Sequence, residues 1–121
     1  MEHKKTLILG ASPNASRYAF QAAHDLKRHG HPIELLSIKK GEVAGQTIDN
    51  HAKFYDGIDT VTLYIGKQHQ TEYYQYLVAL KPKRVIFNPG TENSELVALL
   101  EKNGIECLEA CTLVLLSIGN Y

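Results

Sequence analysis

Gly10-Ala-Ser-Pro-Asn-Ala-Ser-Arg17 is a run of small and polar residues ending in a cation. It lies between an apolar run, Thr6–Leu9, and a stretch with helical spacing. The chemistry open to such a turn is anion binding. Small side chains let backbone N–H groups approach a phosphate, and the positive end of the following helix faces it. Gly10 supplies the first glycine of a dinucleotide-type turn, but Ser12 and Ala15 stand where the next two would fall. A nucleotide ligand is expected, and an ordinary nicotinamide dinucleotide fits the pattern poorly.

Two further cations stand at the end of the second apolar run, in Ser37-Ile-Lys-Lys40. Proteins that use unphosphorylated NAD place an acid near this position to accept the ribose hydroxyls. Lys39 and Lys40 instead favour a phosphate on or near that ribose. It could be the 2′-phosphate of NADP or the 3′-phosphate of coenzyme A. The plainer alternative is a pair of solvated lysines opening a loop. Arg17 also has two readings. A cation early in a helix opposes the macrodipole, which an anionic ligand would offset; otherwise it is an exposed residue paired with a carboxylate. Asn88-Pro-Gly-Thr91 follows the fourth apolar run. Gly90 permits close backbone approach and the next helix offers a second positive end, unless this is a plain turn capped by Thr91.

Other reactive groups are sparse. Cys111, just beyond the fifth run, is the only nucleophile with a plausible address, and a thiol there could form a mixed disulfide with a ligand thiol. A small, buried, inert cysteine is the commoner use of such a position. Cys107 lies within the run and is expected in the core. The six histidines form no metal-ligand spacing; His29 and His31 come nearest, at a helix end. No catalytic residue or metal ligand is therefore assigned.

The elements that position these residues follow from alternating patterns. Apolar, β-branched-rich runs at Thr6–Leu9, Ile33–Ile38, Thr60–Ile65, Arg84–Phe87 and Ile105–Leu108 alternate with helical spacings, the mark of parallel βαβ units. Ala19, Ala22, Ala23 and Leu26 form the stripe of the first helix, which Ser16 can cap and Gly30 and Pro32 end. Helices are expected over Thr71–Leu80 and Glu92–Asn103. Glu42–Asp56 is irregular, with one short helical turn near Asn50–Phe54, and Ala110–Ile118 is either a helix or a last strand. The fold class is α/β: one doubly wound, Rossmann-like parallel sheet of five strands in the order 3-2-1-4-5, helices on both faces. The ligand would then cross the carboxyl ends of the strands at the switch point between the first and fourth. Ile65 and Gly66, ending the third run, would border it.

Bulk properties limit the partners. The 121 residues fit one domain, spanning 1–121, with 44% hydrophobic and 21% charged residues. Lys+Arg 13 balance Asp+Glu 13, so no global field draws the protein to nucleic acid or an anionic membrane. Two cysteines make no secreted disulfide scaffold, and no apolar leader precedes the first strand, so the cytoplasm is the expected compartment. Tyr73, Tyr74 and Tyr76, like the tail Leu113–Ile118, are expected to pack on the domain or on a second subunit.

The turn Gly10-Ala-Ser-Pro-Asn-x-Ser-Arg-Tyr18 resembles that of the small, stand-alone CoA-binding-domain proteins. Pro82-Lys-Arg-Val-Ile-Phe-Asn-Pro-Gly-Thr-Glu-Asn93 and the later Cys111 look like the same family. These proteins are similar to the nucleotide-binding domain of the α subunit of succinyl-CoA synthetase. The resemblance implies coenzyme A or an acyl-CoA across the strand ends. Gly10, Ala11, Ser12, Asn14 and Arg17 would hold the pyrophosphate region, and Ser37, Lys39 and Lys40 the phosphorylated ribose. Ile65 and Gly66 would border adenine or pantetheine, with Asn88, Pro89 and Gly90 along the pantetheine path. Family members often carry a proline-containing segment after the second strand, where this chain has Ser-Ile-Lys-Lys-Gly. The synthetases' phosphohistidine domain has no counterpart here, so synthetase activity is not implied. The expected role is a non-catalytic carrier, sensor or partner of an enzyme; the alternative is a small NADP-dependent oxidoreductase domain.

Overall fold

In the computed structural model, which describes residues 3–121, apolar alternation decides which face each strand residue takes. In β1 (Thr6–Leu9), Leu7 and Leu9 face one helical layer and Ile8 the other, the period of two that a strand imposes. Helix α1 (Tyr18–Arg28) lays Ala19, Ala23 and Leu26 on the Ile8 side. Strand β2 (Ile33–Leu36) adds Ile33 and Leu35 to that layer. The chain then forms a hairpin of β3 (Glu42–Val43) and β4 (Gln46–Thr47) before β5 (Thr60–Leu63). Short 3-10 turns at Lys67–His69 and Thr71–Tyr73 lead into α2 (Tyr74–Leu80). β6 (Arg84–Phe87), α3 (Ser94–Lys102), β7 (Glu106–Glu109) and α4 (Thr112–Ser117) complete the chain. α2 and α3 pack on the Leu7 side through Leu77, Leu96 and Leu100, while α4 joins α1 through Leu116.

The five main strands are parallel and ordered β2-β1-β5-β6-β7. The doubly wound α/β class stands, but the order, counting main strands only, is 2-1-3-4-5 and not 3-2-1-4-5. The segment after β2 explains the difference. It folds back along the outer edge of β2, where Ser37 N–H donates to Asp49 O and Asp49 N–H to Leu35 O. That edge is thereby taken, and β5 pairs instead with the free side of β1. Burial agrees: every residue of β5 is buried, whereas β7 at one edge is half open. The switch point therefore lies between β1 and β5, as in flavodoxin-like sheets.

Local boundaries shift for identifiable reasons. The turn near Asn50–Phe54 is not helical; the Asn50 amide donates to the carbonyls of Ser37 and Lys39 instead. Helix α3 is capped by Asn93, whose side chain accepts from Leu96 N–H, while the Thr91 hydroxyl turns back to Asn88 O. Ser16 does not cap α1, because its N–H and hydroxyl both donate to the Asn14 side chain.

Candidate functional site

The β1–α1 turn is built by its own side chains. Ser12 Oγ accepts from Asn14 N–H at 3.1 Å, and Asn14 Oδ1 accepts from Ser16 N–H at 3.0 Å. Gly10, at φ +99°, is fixed by packing: a Cβ there would lie 2.7 Å from Ile65 Cγ2 and 2.8 Å from the Tyr64 carbonyl carbon. Only glycine lets the ends of β1 and β5 come this close at the switch point.

Helix α1 then begins with no side-chain cap and no acid in its first turn. Among the described residues, no acceptor takes the N–H of Tyr18 or Ala19. Both line a cleft of about 220 Å³ with Gly10, Ser12, Arg17, Lys39, Ile65, Gly66, Pro89 and Gly90. Arg17 and Lys39 are exposed, and among the described residues neither has a carboxylate within 4 Å. Unpaired cations beside a free helix N-terminus make this a positive cleft in a chain with no net charge.

The cleft continues in two directions. On the β2 side a lobe of about 380 Å³ runs over Ser37 and Ile38 to His69, Glu72 and Tyr73. On the β6 side a lobe of about 260 Å³ is walled by Tyr18, Tyr64, Asn88, Pro89 and Cys111. Burial raises the Tyr64 phenol well above its ordinary value, and its hydroxyl is buried without a hydrogen-bond partner among the described residues. It stays protonated at neutral pH.

The structure brings Gly10, Ser12, Arg17, Ser37, Lys39, Ile65, Gly66, Asn88, Pro89 and Gly90 to this edge. Three other expected residues fall outside the lining. Ala11 is fully buried in the α1 layer, Asn14 is spent on the turn, and Lys40 is exposed beyond the cleft. Asn88 is committed to the fold: its amide donates to Thr62 Oγ1 and Leu63 O, and its oxygen accepts from Thr112 N–H. The second positive helix end expected after Gly90 is neutralised by the Asn93 cap and by Glu95 in the first turn of α3.

Sequence reasoning did not assign Tyr18, Tyr64, His69, Glu72 or Tyr73 to the cleft. Tyr18 and Tyr64 each adjoin a residue that was singled out, the only signal they carried. Cys111 does reach the edge, half-buried, whereas Cys107 packs against the α2–α3 layer. Burial and then Glu101 and Glu106 push the Cys107 thiol up to about 11, which leaves it protonated and unreactive. His29 and His31 diverge: His29 Nδ1 donates to Asp25 O, while His31 Nδ1 accepts from Lys4 N–H.

A doubly wound sheet with a positive cleft at its switch point is the arrangement in which α/β domains hold nucleotides. The chain belongs to the CoA-binding domain family, whose model matches residues 4–117, so a CoA-type nucleotide is the ligand class the family implies. An uncharacterized protein of known crystal structure is 56% identical, with both chains covered completely and a TM-score of 0.98. A hypothetical protein from Pyrococcus horikoshii OT3 is 25% identical over 93% of this chain and 80% of that one, with a TM-score of 0.83. Cell-free ID.343 from Thermus thermophilus, 19% identical, shares the fold at a TM-score of 0.85 over 98% of this chain and 91% of that one. No curated protein matches the chain. Among the described residues, no helix is long and apolar enough to cross a membrane.

Proposed function

We propose that residues 1–121 form one domain that binds coenzyme A or an acyl-CoA across the carboxyl edge of the sheet. It acts as a non-catalytic carrier, sensor or partner of an enzyme. The observation that carries this reading is the pair Arg17 and Lys39, both on the cleft and neither with a carboxylate partner among the described residues, beside the open start of α1. The diphosphate takes the N–H groups of Tyr18 and Ala19 together with Arg17. Lys39 faces the phosphorylated ribose. Gly10, Gly66, Ser12, Ser37 and Ile65 wall the ligand. The pantetheine arm runs along Pro89 and Gly90 toward Asn88 and Cys111.

Thermal shift with CoA, acetyl-CoA, dephospho-CoA, NADP and NAD at equal concentrations tests this. A ligand at 100 times its Kd stabilises by about 2.7 kcal/mol, on the order of 10 °C for a chain of this size. CoA should shift the protein more than dephospho-CoA. Lys39→Ala should erase that difference, and Lys40→Ala should leave it, since Lys40 lies off the cleft. Stabilisation by NADP alone would replace this reading with the oxidoreductase one. Silence from every nucleotide would leave an interaction domain that keeps only the fold.

A further inference from the structure

The last ten residues are anchored at three places: Thr112 on the sheet, Leu116 in the core layer of α1, and Tyr121. Only Thr112 and Leu116 of α4 are buried, while Val114 and Ile118 are exposed. At the upper end Thr112 Oγ1 shares a 2.8 Å hydrogen bond with Thr62 Oγ1, and its N–H donates to Asn88 Oδ1. This attachment adjoins Cys111 and Asn88, which wall the β6-side lobe of the cleft. At the lower end, Tyr121 closes the opposite edge of the sheet. Its hydroxyl lies 2.6 Å from Thr6 Oγ1, and its main-chain oxygen accepts from Lys4 Nζ at 3.0 Å. The Arg84 guanidinium covers its ring at 4.5 Å, and the His31 ring stands 4.8 Å away.

His31 is the titratable member of this clasp. It is buried, and its Nδ1 accepts the Lys4 N–H at 2.9 Å, a bond that only the unprotonated nitrogen can make. The groups facing it are basic on every side. His3 approaches edge-on, Lys4 lies in the segment that leads into β1, His29 at the end of α1, and Arg84 on β6. Arg84 is itself buried, with Nε on Thr60 Oγ1 and Nη2 without a partner among the described residues. Glu34 pairs with Lys5 from the other face of β2, and no side-chain carboxylate of the described residues lies within 4 Å of His31.

We propose that Cys111–Tyr121 is a proton-operated strap. Protonation of His31 breaks its bond to Lys4, sets a new cation against Arg84, and frees Tyr121 and, through α4, the Cys111 wall of the cleft. Burial first, then Lys4, His3, His29 and Arg84, hold the His31 imidazole below its ordinary value while the strap is closed. Detachment removes the Tyr121 ring that helps to bury His31 and raises its basicity, so the open state binds more protons. Closure is therefore fully present above about pH 6.5 and is lost as pH falls through the closed-state value.

Hydrogen exchange on the whole chain between pH 7.5 and 5.0, expressed as protection factors, tests this directly. Protection over Thr112–Tyr121 should fall by up to about tenfold per pH unit below 6.5, while β1, β5 and β6 hold theirs. His31→Gln keeps an acceptor without the titration and should flatten the response. An unchanged response in that variant, or an equal loss across the whole chain, overturns the proposal. Should the variant not fold, imidazole NMR of the native chain decides: a His31 midpoint near 6.5 or above, or Tyr121 resonances indifferent to it, also overturns it.

Discussion

Two helices start at the same edge of this sheet, each after a parallel strand and a positive-φ glycine, and they are wired in opposite ways. After β6, Gly90 N–H is taken by Glu92, Asn93 caps α3, and Glu95 sits in its first turn. The Asn93 amide also donates to Gln70 Oε1 and to the Tyr74 hydroxyl, while Gln70 donates to Ile65 O and Thr91 O. After β1, α1 starts with no cap and no acid, with Arg17 at the capping position. One strand–turn–helix unit has spent its positive end on the protein. The other holds it open to the cleft. A glycine turn alone therefore does not define an anion site; the cap and first-turn residues decide whether the helix end is available.

The sharpest way to break this contrast is at the glycines. Gly10→Ala must place a methyl 2.8 Å from the Tyr64 carbonyl carbon in a left-handed backbone. Overpacking and backbone strain together put the cost at about 3–4 kcal/mol. Gly90→Ala, at φ +92° with nothing within 4 Å of the added carbon, carries only the backbone cost of about 1–2 kcal/mol. Urea unfolding of the two variants separates them, and equal losses would mean that Gly10 is not pinned by the end of β5. The next effect is at the caps. Asn93→Ala removes the cap and strands a buried acceptor on Gln70, at about 2 kcal/mol. Arg17→Ala should cost nothing in the same assay, since no group of the described chain depends on its charge.

Much of this contrast was legible, and what was not has physical causes. The strands, the α1 stripe and the turn follow from period and glycine placement, and Arg17 and Lys39 stood out as cations at element ends. The strand order did not. Glu34 inside β2 marks an edge strand, and the uncharged Thr60-Val-Thr-Leu63 marks an interior one, but both clues need the sheet to be weighed as a whole. Asn93 and Thr91 are equally good capping types, and the choice turned on Gln70, twenty-odd residues away, meeting the Asn93 amide. Lys39 and Lys40 differ only in which neighbour faces the cleft, which no spacing rule settles once the strand ends two residues early. Tyr64 was hidden because a tyrosine at the end of an apolar run reads as packing.

The finest test turns the open helix into a closed one. Arg17→Asp puts a carboxylate at the α1 capping position, where the N–H groups of Tyr18 and Ala19 lack acceptors among the described residues and the first turn holds no acid. The cap and the macrodipole both favour it, so the free protein should gain about 1 kcal/mol, or about 4 °C in melting temperature. The same change sets a negative charge where the diphosphate is proposed to sit, so the shift caused by CoA should vanish. Stability and binding then move in opposite directions at one residue, which a simple loss of packing cannot produce. Losing both together would show that α1 is already satisfied, and the contrast between the two helix starts would fall with it.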